Sequence, residues 1–539
     1  MQMRVRPLVG AAIASFVLTD PALAASNRDA QFEALQQQVR ALLQQQQEQQ
    51  ARAQQQQEQM RALESQVQSL TAQLKGGAPV AAANPAAGQT SPAAQPQPGP
   101  AQAQSTPTQT AQSLAAPVQP APKLTMSKTN RPMFVSADGQ NAIGLSSIFN
   151  FDAGAYSYRP RSAATPVQGL QNGVNARRAR IGLNGVFMSD WAYDLQYDFG
   201  NFDDALTDSG APKSGVKSAY ISYKGIRNAV IELGYLSVPF TIDQATANTD
   251  YMFMEHPIPQ ALAIAVTGGD SRSALGAKLF NDRGWIGGYL TGPKSGTSHT
   301  TGEQVGGTLR GTYQIVQNDK ASLHVGGNLA ELFKSAGNRS INLAVQPEIS
   351  IDPTAAYGLS LGNAIYPLEK ADVYGVELAG GYDSLFFQGE YFYMTFDRKG
   401  LPETAFNGGY LQASWTLTGE QRKYNRESGA YGRIYPDHPM SLSNGGYGAW
   451  EVAARISTMD MTDHFSAGRQ NTAAAVDGGA SRVYALGVNW YPNNNLMFRL
   501  NYLHGGFGNL FSNPTAKPSL QRDTGADFDA VAMRAQLAF

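Results

Sequence analysis

The feature that most constrains this chain is an alternation of apolar and polar side chains with a period of two residues, which runs from Ile143 to Phe539. A period of two is that of a β-strand, whose successive side chains point to opposite faces. The final segment separates Val531, Met533, Ala535, Leu537 and Phe539 from Ala532, Arg534, Gln536 and Ala538. The pattern therefore predicts an all-β fold built from strands with one apolar face.

The length of the alternating segments favours a transmembrane barrel over a soluble sandwich. Segments of about 9 to 13 residues match a tilted crossing of the hydrocarbon layer. Aromatic residues stand at the segment ends, as interfacial girdles require: Trp191, Tyr223, Tyr235, Trp285, Tyr289, Trp490 and Tyr491. We expect residues 141–539 to form an antiparallel β-barrel of about 16 strands, wide enough to enclose water.

Composition removes several other classes of protein. The chain has no cysteine and a net charge of −1, which excludes disulfides and thiolate metal sites and gives no sign of nucleic-acid binding. It contains no run of apolar residues long enough for a transmembrane helix. The six histidines stand in no nucleophile or metal motif, so no catalytic residue, metal or cofactor is predicted.

The N-terminus has the form of a secretion signal. Arg4 and Arg6 precede an apolar segment from Leu8 to Leu18, and Ala22-Leu23-Ala24 fits the small-x-small cleavage pattern. We expect residues 1–24 to be a signal peptide that is cleaved after Ala24.

Two further zones precede the predicted barrel. Residues 29–75 keep one heptad register from Phe32 to Leu74 across a glutamine-rich centre, which predicts a periplasmic α-helical coiled coil. A disordered glutamine-rich tract is the alternative. Residues 76–123 hold ten prolines between Pro79 and Pro122 and are expected to form a disordered Pro/Ala/Gln-rich linker.

A wide barrel needs a constriction and wall charges that bias which ions enter. Basic residues on the polar phase of their strands are the candidates for lining the pore and binding anions: Arg178, Arg180, Lys224, Lys278, Arg310, Arg455, Arg499 and Arg534. The alternative is that they pair with wall carboxylates: Asp194, Asp198, Glu232 and Glu451. Of the 41 basic and 42 acidic residues, 10 and 7 precede residue 141, which leaves the barrel with a net charge of −4. That balance does not suggest a dedicated phosphate channel.

The alternation stops between Tyr235 and Arg272, where prolines and apolar residues are frequent. A loop of this length in a compact fold is usually functional, so we expect it to fold into the lumen and narrow it. The candidate constriction residues are Tyr251, Phe253, Glu255, His256, Asp270 and Arg272. The alternative is a loop packed over the barrel rim.

Two stretches resemble the phosphate-selective porin O/P family. One runs from Tyr374 to Tyr435 and contains Ser414-Trp415-Thr416-Leu417-Thr418-Gly419-Glu420, which is similar to the family hallmark; the other, GYLSVPFTIDQATANTDYMFMEHPIP, starts at Gly234. The resemblance implies a homotrimer with sixteen strands per subunit and an inward-folded third loop. Where the family commonly has a Met-Glu-Arg element, this chain has Met254-Glu255-His256, which weakens an inherited anion selectivity.

The expected function is an outer-membrane porin for passive diffusion of small hydrophilic or anionic solutes, in a Gram-negative bacterium. A terminal aromatic residue such as Phe539 resembles the assembly signal of outer-membrane barrels. Expected partners are outer-membrane lipid, further copies of the chain, and peptidoglycan or periplasmic proteins through the coiled coil. A sugar-type porin and a structural tether remain alternatives, and a barrel enzyme is disfavoured.

Overall fold

The computed structural model describes residues 122–127, 131–161, 170–200, 214–267, 271–294, 304–351, 359–361, 364–464, 474–508 and 525–539. The predicted signal peptide, the coiled coil and the linker up to residue 121 lie outside the described residues, as does Asp270. The linker was predicted to end at Lys123, which is instead the first residue of a strand.

Strands dominate the described part of the chain. In chain order they are β1 (Lys123–Met126), β2 (Pro132–Val135), β3 (Ala142–Pro160), β4 (Gly173–Phe187), β5 (Trp191–Asp198), β6 (Gly215–Tyr223), β7 (Ala229–Leu236), β8 (Arg272–Phe280), β9 (Gly284–Thr291), β10 (Val305–Gln317), β11 (Ala321–Lys334), β12 (Ala344–Val345), β13 (Leu359–Ser360), β14 (Leu368–Tyr382), β15 (Leu385–Arg398), β16 (Thr404–Thr416), β17 (Tyr424–Asn425), β18 (Ala430–Tyr431), β19 (Ala449–Asp463), β20 (Val476–Tyr491), β21 (Leu496–Phe507) and β22 (Ala526–Ala538). Two helices interrupt them: α1 (Ile242–Ala245) and α2 (Ile258–Thr267). None of the helices in these ranges is long and apolar enough to cross a membrane.

Sixteen strands form a closed antiparallel barrel: β3 to β11, β14 to β16 and β19 to β22. Each barrel strand pairs with the next along the chain, and β22 closes the ring on β3. The predicted fold class of the barrel is therefore confirmed. Its first strand begins at Ala142, and the hairpin of β1 and β2 continues the sheet upstream because β2 pairs with residues 142–144 of β3.

The outer wall is apolar and the inner wall is polar, which is the reverse of a soluble protein. On β22, Val531 and Met533 are 50% and 54% exposed, whereas Arg534, which follows Met533, is 1% exposed. This arrangement suits a barrel whose solvent is hydrocarbon outside and water inside.

One bulge breaks the alternation on β4. The register passes from Asn150–Arg178 to Asp152–Asn175, so three steps along β4 correspond to two along β3. The extra residue turns both Arg177 and Arg178 inward, where they are 1% and 0% exposed.

Candidate functional site

Described segments of two long connections extend into the barrel and limit its free space. We call residues 237–271, between β7 and β8, the third-loop insert, and residues 417–448, between β16 and β19, the hallmark insert. They enter from opposite ends, and the hallmark insert enters from the end that carries Phe539, which we call the Phe539 end. Both belong to stretches whose sequence resembles the porin O/P family.

The third-loop insert packs its apolar side against one part of the inner wall. Helix α2 contacts β14, β15, β16 and β19. Its buried Leu262 and Ile264 belong to the same apolar cluster as Phe392, Phe406 and Met459 of the wall. For this reason the inward phase of β15 is apolar from Phe392 to Phe396, although the same phase carries Gln388 and Glu390 earlier in the strand.

Wall side chains bind the backbone of the insert between residues 249 and 255. Arg499 donates from Nη2 to the carbonyl of Tyr251 at 2.9 Å, and Arg455 donates from Nη1 to the carbonyl of Glu255 at 3.1 Å. Asn489 donates from Nδ2 to the carbonyl of Met252 at 2.9 Å. A loop buried in this way needs such partners, because unpaired carbonyls are costly inside a protein.

Glu255 lies at the centre of a group of wall arginines. Its carboxylate accepts hydrogen bonds from Arg177 Nε at 3.0 Å, from Arg178 Nη1 at 3.4 Å and from Arg534 Nη2 at 2.6 Å. Arg534 is also paired at 2.6 Å with Asp152. All five side chains are buried.

Most of the remaining candidate cations are also bonded to carboxylates. The pairs and their separations are Arg180 with Asp198 at 2.6 Å, Arg310 with Glu377 at 2.9 Å, Arg455 with Glu348 at 2.5 Å, and Lys278 with Glu232 at 3.1 Å. Lys224 was expected on a strand, but β6 ends at Tyr223 and the Lys224 side chain is half-exposed beside Glu427. Of the wall carboxylates named as alternative partners from the sequence, Asp198 pairs with Arg180 and Glu232 with Lys278, whereas the other pairs use carboxylates that were not named.

The other constriction candidates lie in different surroundings. Tyr251 Oη lies 3.0 Å from His256 Nε2, and His256 Nδ1 is hydrogen-bonded to Asp243 of α1. The Arg455 guanidinium lies 4.4 Å from the centre of the Phe253 ring. Arg272 is the first residue of β8 and donates to the carbonyl of Gly292 at 2.8 Å, so it serves the connection between β9 and β10.

Two arginines secure the hallmark insert. Arg422 is paired with Glu451 at 2.9 Å, and Arg310 donates to the carbonyl of Gly429 at 2.6 Å. Burial alone would lower the pKa of Arg422, but the Glu451 carboxylate holds it above its ordinary value. Burial also raises the pKa of Tyr431, in the same insert, to about 12.

Three of the cavities among the described residues lie between the inserts and the wall formed by β3 to β8. Cavity A has a volume of about 420 Å³ and is bordered by charged groups of both signs, Arg180, Lys217 and Lys278 against Asp194, Glu232 and Asp250. Cavity B, about 330 Å³, lies at the Phe539 end, and cavity C, about 640 Å³, lies beside the hallmark insert. Asp250 borders all three.

Several residues that shape this interior do not follow from the sequence pattern. Strict alternation places Arg177 outside, and only the bulge brings it in. Arg422 and Arg433 were missed as lumen residues because the hallmark insert was not recognised as a second inward connection. The family hallmark that surrounds them was the available signal.

The chain is similar to proteins of one known family. The sequence profile described as phosphate-selective porin O and P matches residues 162–539. The chain belongs to this family. It is 24% identical over 337 residues to Porin O of Pseudomonas aeruginosa, which covers 59% of this chain and 73% of that protein. An uncharacterized protein of Caulobacter vibrioides is 23% identical over 453 residues, covering 82% and 84%.

A solved structure, the anion-selective porin from Comamonas acidovorans, aligns with 14% identity, a TM-score of 0.43, and 74% and 100% coverage of the two chains. Membership of the porin O and P family, with the closed barrel and its apolar outer wall, identifies a channel of the Gram-negative outer membrane. This points to a channel rather than an enzyme.

Proposed function

We propose that this porin is a weakly selective, water-filled channel for the passive diffusion of small hydrophilic solutes, with a path between the third-loop insert and the wall of β3 to β8. The supporting observation is the set of three cavities that share Asp250. Cavities A and B also share Ile148, Arg180 and Gln196, so solutes leaving one meet the border of the other.

Charge compensation supports weak selectivity. Cavity A is bordered by three cationic and three anionic side chains. The cations of the Glu255 group and of the Arg180, Arg310 and Lys278 pairs have carboxylates within hydrogen-bonding or ion-pair distance. A wall of paired charges presents a smaller net field to an ion than a ring of one sign.

Single-channel recording of the purified protein in a planar bilayer under a potassium chloride gradient tests the proposal. We expect ohmic conductance, a small reversal potential and no saturable block by phosphate or sugars. Absence of any conductance would overturn the channel assignment.

A preference for anions, including phosphate, is the second candidate, and Arg433 favours it. Arg433 is buried, borders cavities B and C, and has Nε and Nη2 without a hydrogen-bond partner among the described residues. Arg499 donates hydrogen bonds to backbone carbonyls and to Gln536. Among the described residues it is bonded to no carboxylate. An arginine without a carboxylate can bind a phosphate through two N–H groups.

Replacement of Arg433 by Gln distinguishes the two candidates. If this side chain binds anions, the variant loses a chloride-selective reversal potential and any block by phosphate. Arg426→Gln is the matched control, because Arg426 belongs to the same insert and borders cavity C but is exposed and paired with Asp282. Equal effects of the two substitutions would mean that only the general charge of the channel mouth matters.

We also propose that the Phe539 end faces the periplasm and that the protein forms a homotrimer. Strands β5, β7 and β9 have 8 residues each, fewer than the about 9 to 11 of a tilted strand that spans the hydrocarbon, and β6 and β8 have 9, the lower end of that range. A second copy would cover this part of the wall.

The proposed periplasmic coiled coil at residues 29–75 would then stabilise the trimer or tether the envelope. Deletion of residues 29–123 should leave conductance intact while weakening the trimer or its retention on peptidoglycan. Loss of conductance in correctly assembled protein would contradict this accessory role.

A further inference from the structure

The Glu255 carboxylate is bound as a small anion would be bound. Arg177 contacts it through two parallel bonds, Nε to Oε1 at 3.0 Å and Nη2 to Oε2 at 3.1 Å. Arg178 approaches the same two oxygens from Nη1 and Nη2, each at 3.4 Å, and Arg534 adds a bond of 2.6 Å. This fork geometry and convergence of guanidinium groups are the arrangement by which proteins bind phosphate and carboxylate ligands.

The cations of this group belong to the barrel, whereas Glu255 belongs to the third-loop insert. Arg177 and Arg178 are turned inward by the bulge on β4, and Arg534 faces its cross-strand neighbour Asp152. The wall register therefore fixes three arginines and one carboxylate. The second carboxylate is that of Glu255, which comes from the third-loop insert. It therefore enters this group of wall residues as a bound anion would.

We propose that Glu255 is an internal ligand that fills an anion site of the barrel wall and thereby determines the channel's selectivity. In this role Glu255 keeps three guanidiniums from binding solute anions such as inorganic phosphate. The inference rests on the proposed channel function and goes beyond it, because it assigns the weak selectivity to one side chain of the insert. With Glu255 the group holds three positive and two negative charges, and without it one carboxylate remains.

The variant Glu255→Gln tests this assignment, since glutamine keeps the shape and removes the charge. In a bilayer we expect the chloride-to-potassium permeability ratio to rise by about tenfold, because one unit charge roughly 6 Å from an ion in water changes the permeability of each ion by about threefold and in opposite directions. In Glu255→Ala, which also removes the side chain that fills the site, phosphate should block the current in a saturable way, and it should not block the wild type.

Glu377→Gln is the matched control. Glu377 is a buried glutamate paired with a lumen arginine, Arg310, but it stands on the barrel wall and not on an insert. It should not create a phosphate-sensitive current. An equal shift in both variants, or unchanged selectivity in folded Glu255→Gln, would overturn the proposal.

Stability supplies a readout that does not depend on conductance. Phosphate, compared with chloride at equal ionic strength, should raise the unfolding temperature of Glu255→Ala and leave the wild type unchanged. If the variant does not fold in chloride, phosphate should restore the folded barrel, and failure in both salts would contradict the proposal. If the wild type does not conduct, the channel function is refuted. The effect of phosphate on the unfolding temperature still tests whether Glu255 fills an anion site.

Discussion

Arg422 Nη1 donates to the backbone carbonyl of Asp250 at 3.0 Å, which joins the two inserts that enter the barrel from opposite ends. The same guanidinium is paired with Glu451 of β19. One side chain therefore fixes the hallmark insert, the third-loop insert and the wall relative to one another.

Loss of the Arg422 guanidinium should destabilise the barrel strongly. Arg422→Met leaves the buried Glu451 carboxylate without its cation, and we expect a cost of about 3 kcal/mol in the free energy of unfolding. Denaturant unfolding in detergent measures it. Arg426→Gln, which breaks an exposed pair with Asp282, should cost less than about 1 kcal/mol. Similar costs for the two variants would show that Arg422 does not hold the two inserts and the wall together.

Removal of the Asp250 charge should shift ion selectivity toward anions. Asp250 borders all three cavities, so an ion in any of them comes close to this residue. We expect Asp250→Asn to raise the chloride-to-potassium permeability ratio by about tenfold in a salt-gradient measurement, since the two ions respond by about threefold each in opposite directions. Asp282→Asn is the control, since Asp282 borders only cavity C and is largely exposed. A larger shift from the control would place the path elsewhere.

A side chain at Gly429 should destabilise the protein. Its φ of +62° disfavours other residues, and an added Cβ would lie 3.0 Å from the ring of Trp285. Gly429→Ala should cost about 2 kcal/mol of stability, measured by thermal or denaturant unfolding. Gly445→Ala isolates the backbone part, because Gly445 has a φ of +69° and open space around it. Equal costs would mean that the contact with Trp285 contributes nothing.

The Glu427 carboxylate should give a small pH dependence of stability. Burial alone would raise its pKa, but the hydrogen bond and charge of Lys224 hold the pKa of Glu427 below its ordinary value of 4.5. The stabilisation is therefore present above about pH 4.5 and is lost as the pH falls through the lowered pKa. Thermal unfolding of the wild type and Glu427→Gln from pH 3 to 7 should diverge above pH 4.5 and converge below it. Parallel curves would contradict the pairing.

The barrel itself followed from the sequence because alternation is a local property. On β22 each residue's face is set by its place in a period of two, so Arg534 was assigned correctly to the inside and Val531 to the outside. Strand number also followed, since each crossing of the hydrocarbon requires a segment of similar length.

The charge partners of the interior were decided only by the tertiary structure. Glu255 meets Arg177, Arg178 and Arg534 across separations of 77 to 279 residues. The local sequence predicts neither the one-residue bulge that turns Arg177 inward nor the path that an insert takes through the lumen. Long-range packing set these contacts, because buried carbonyls and carboxylates must find donors wherever the closed barrel brings them.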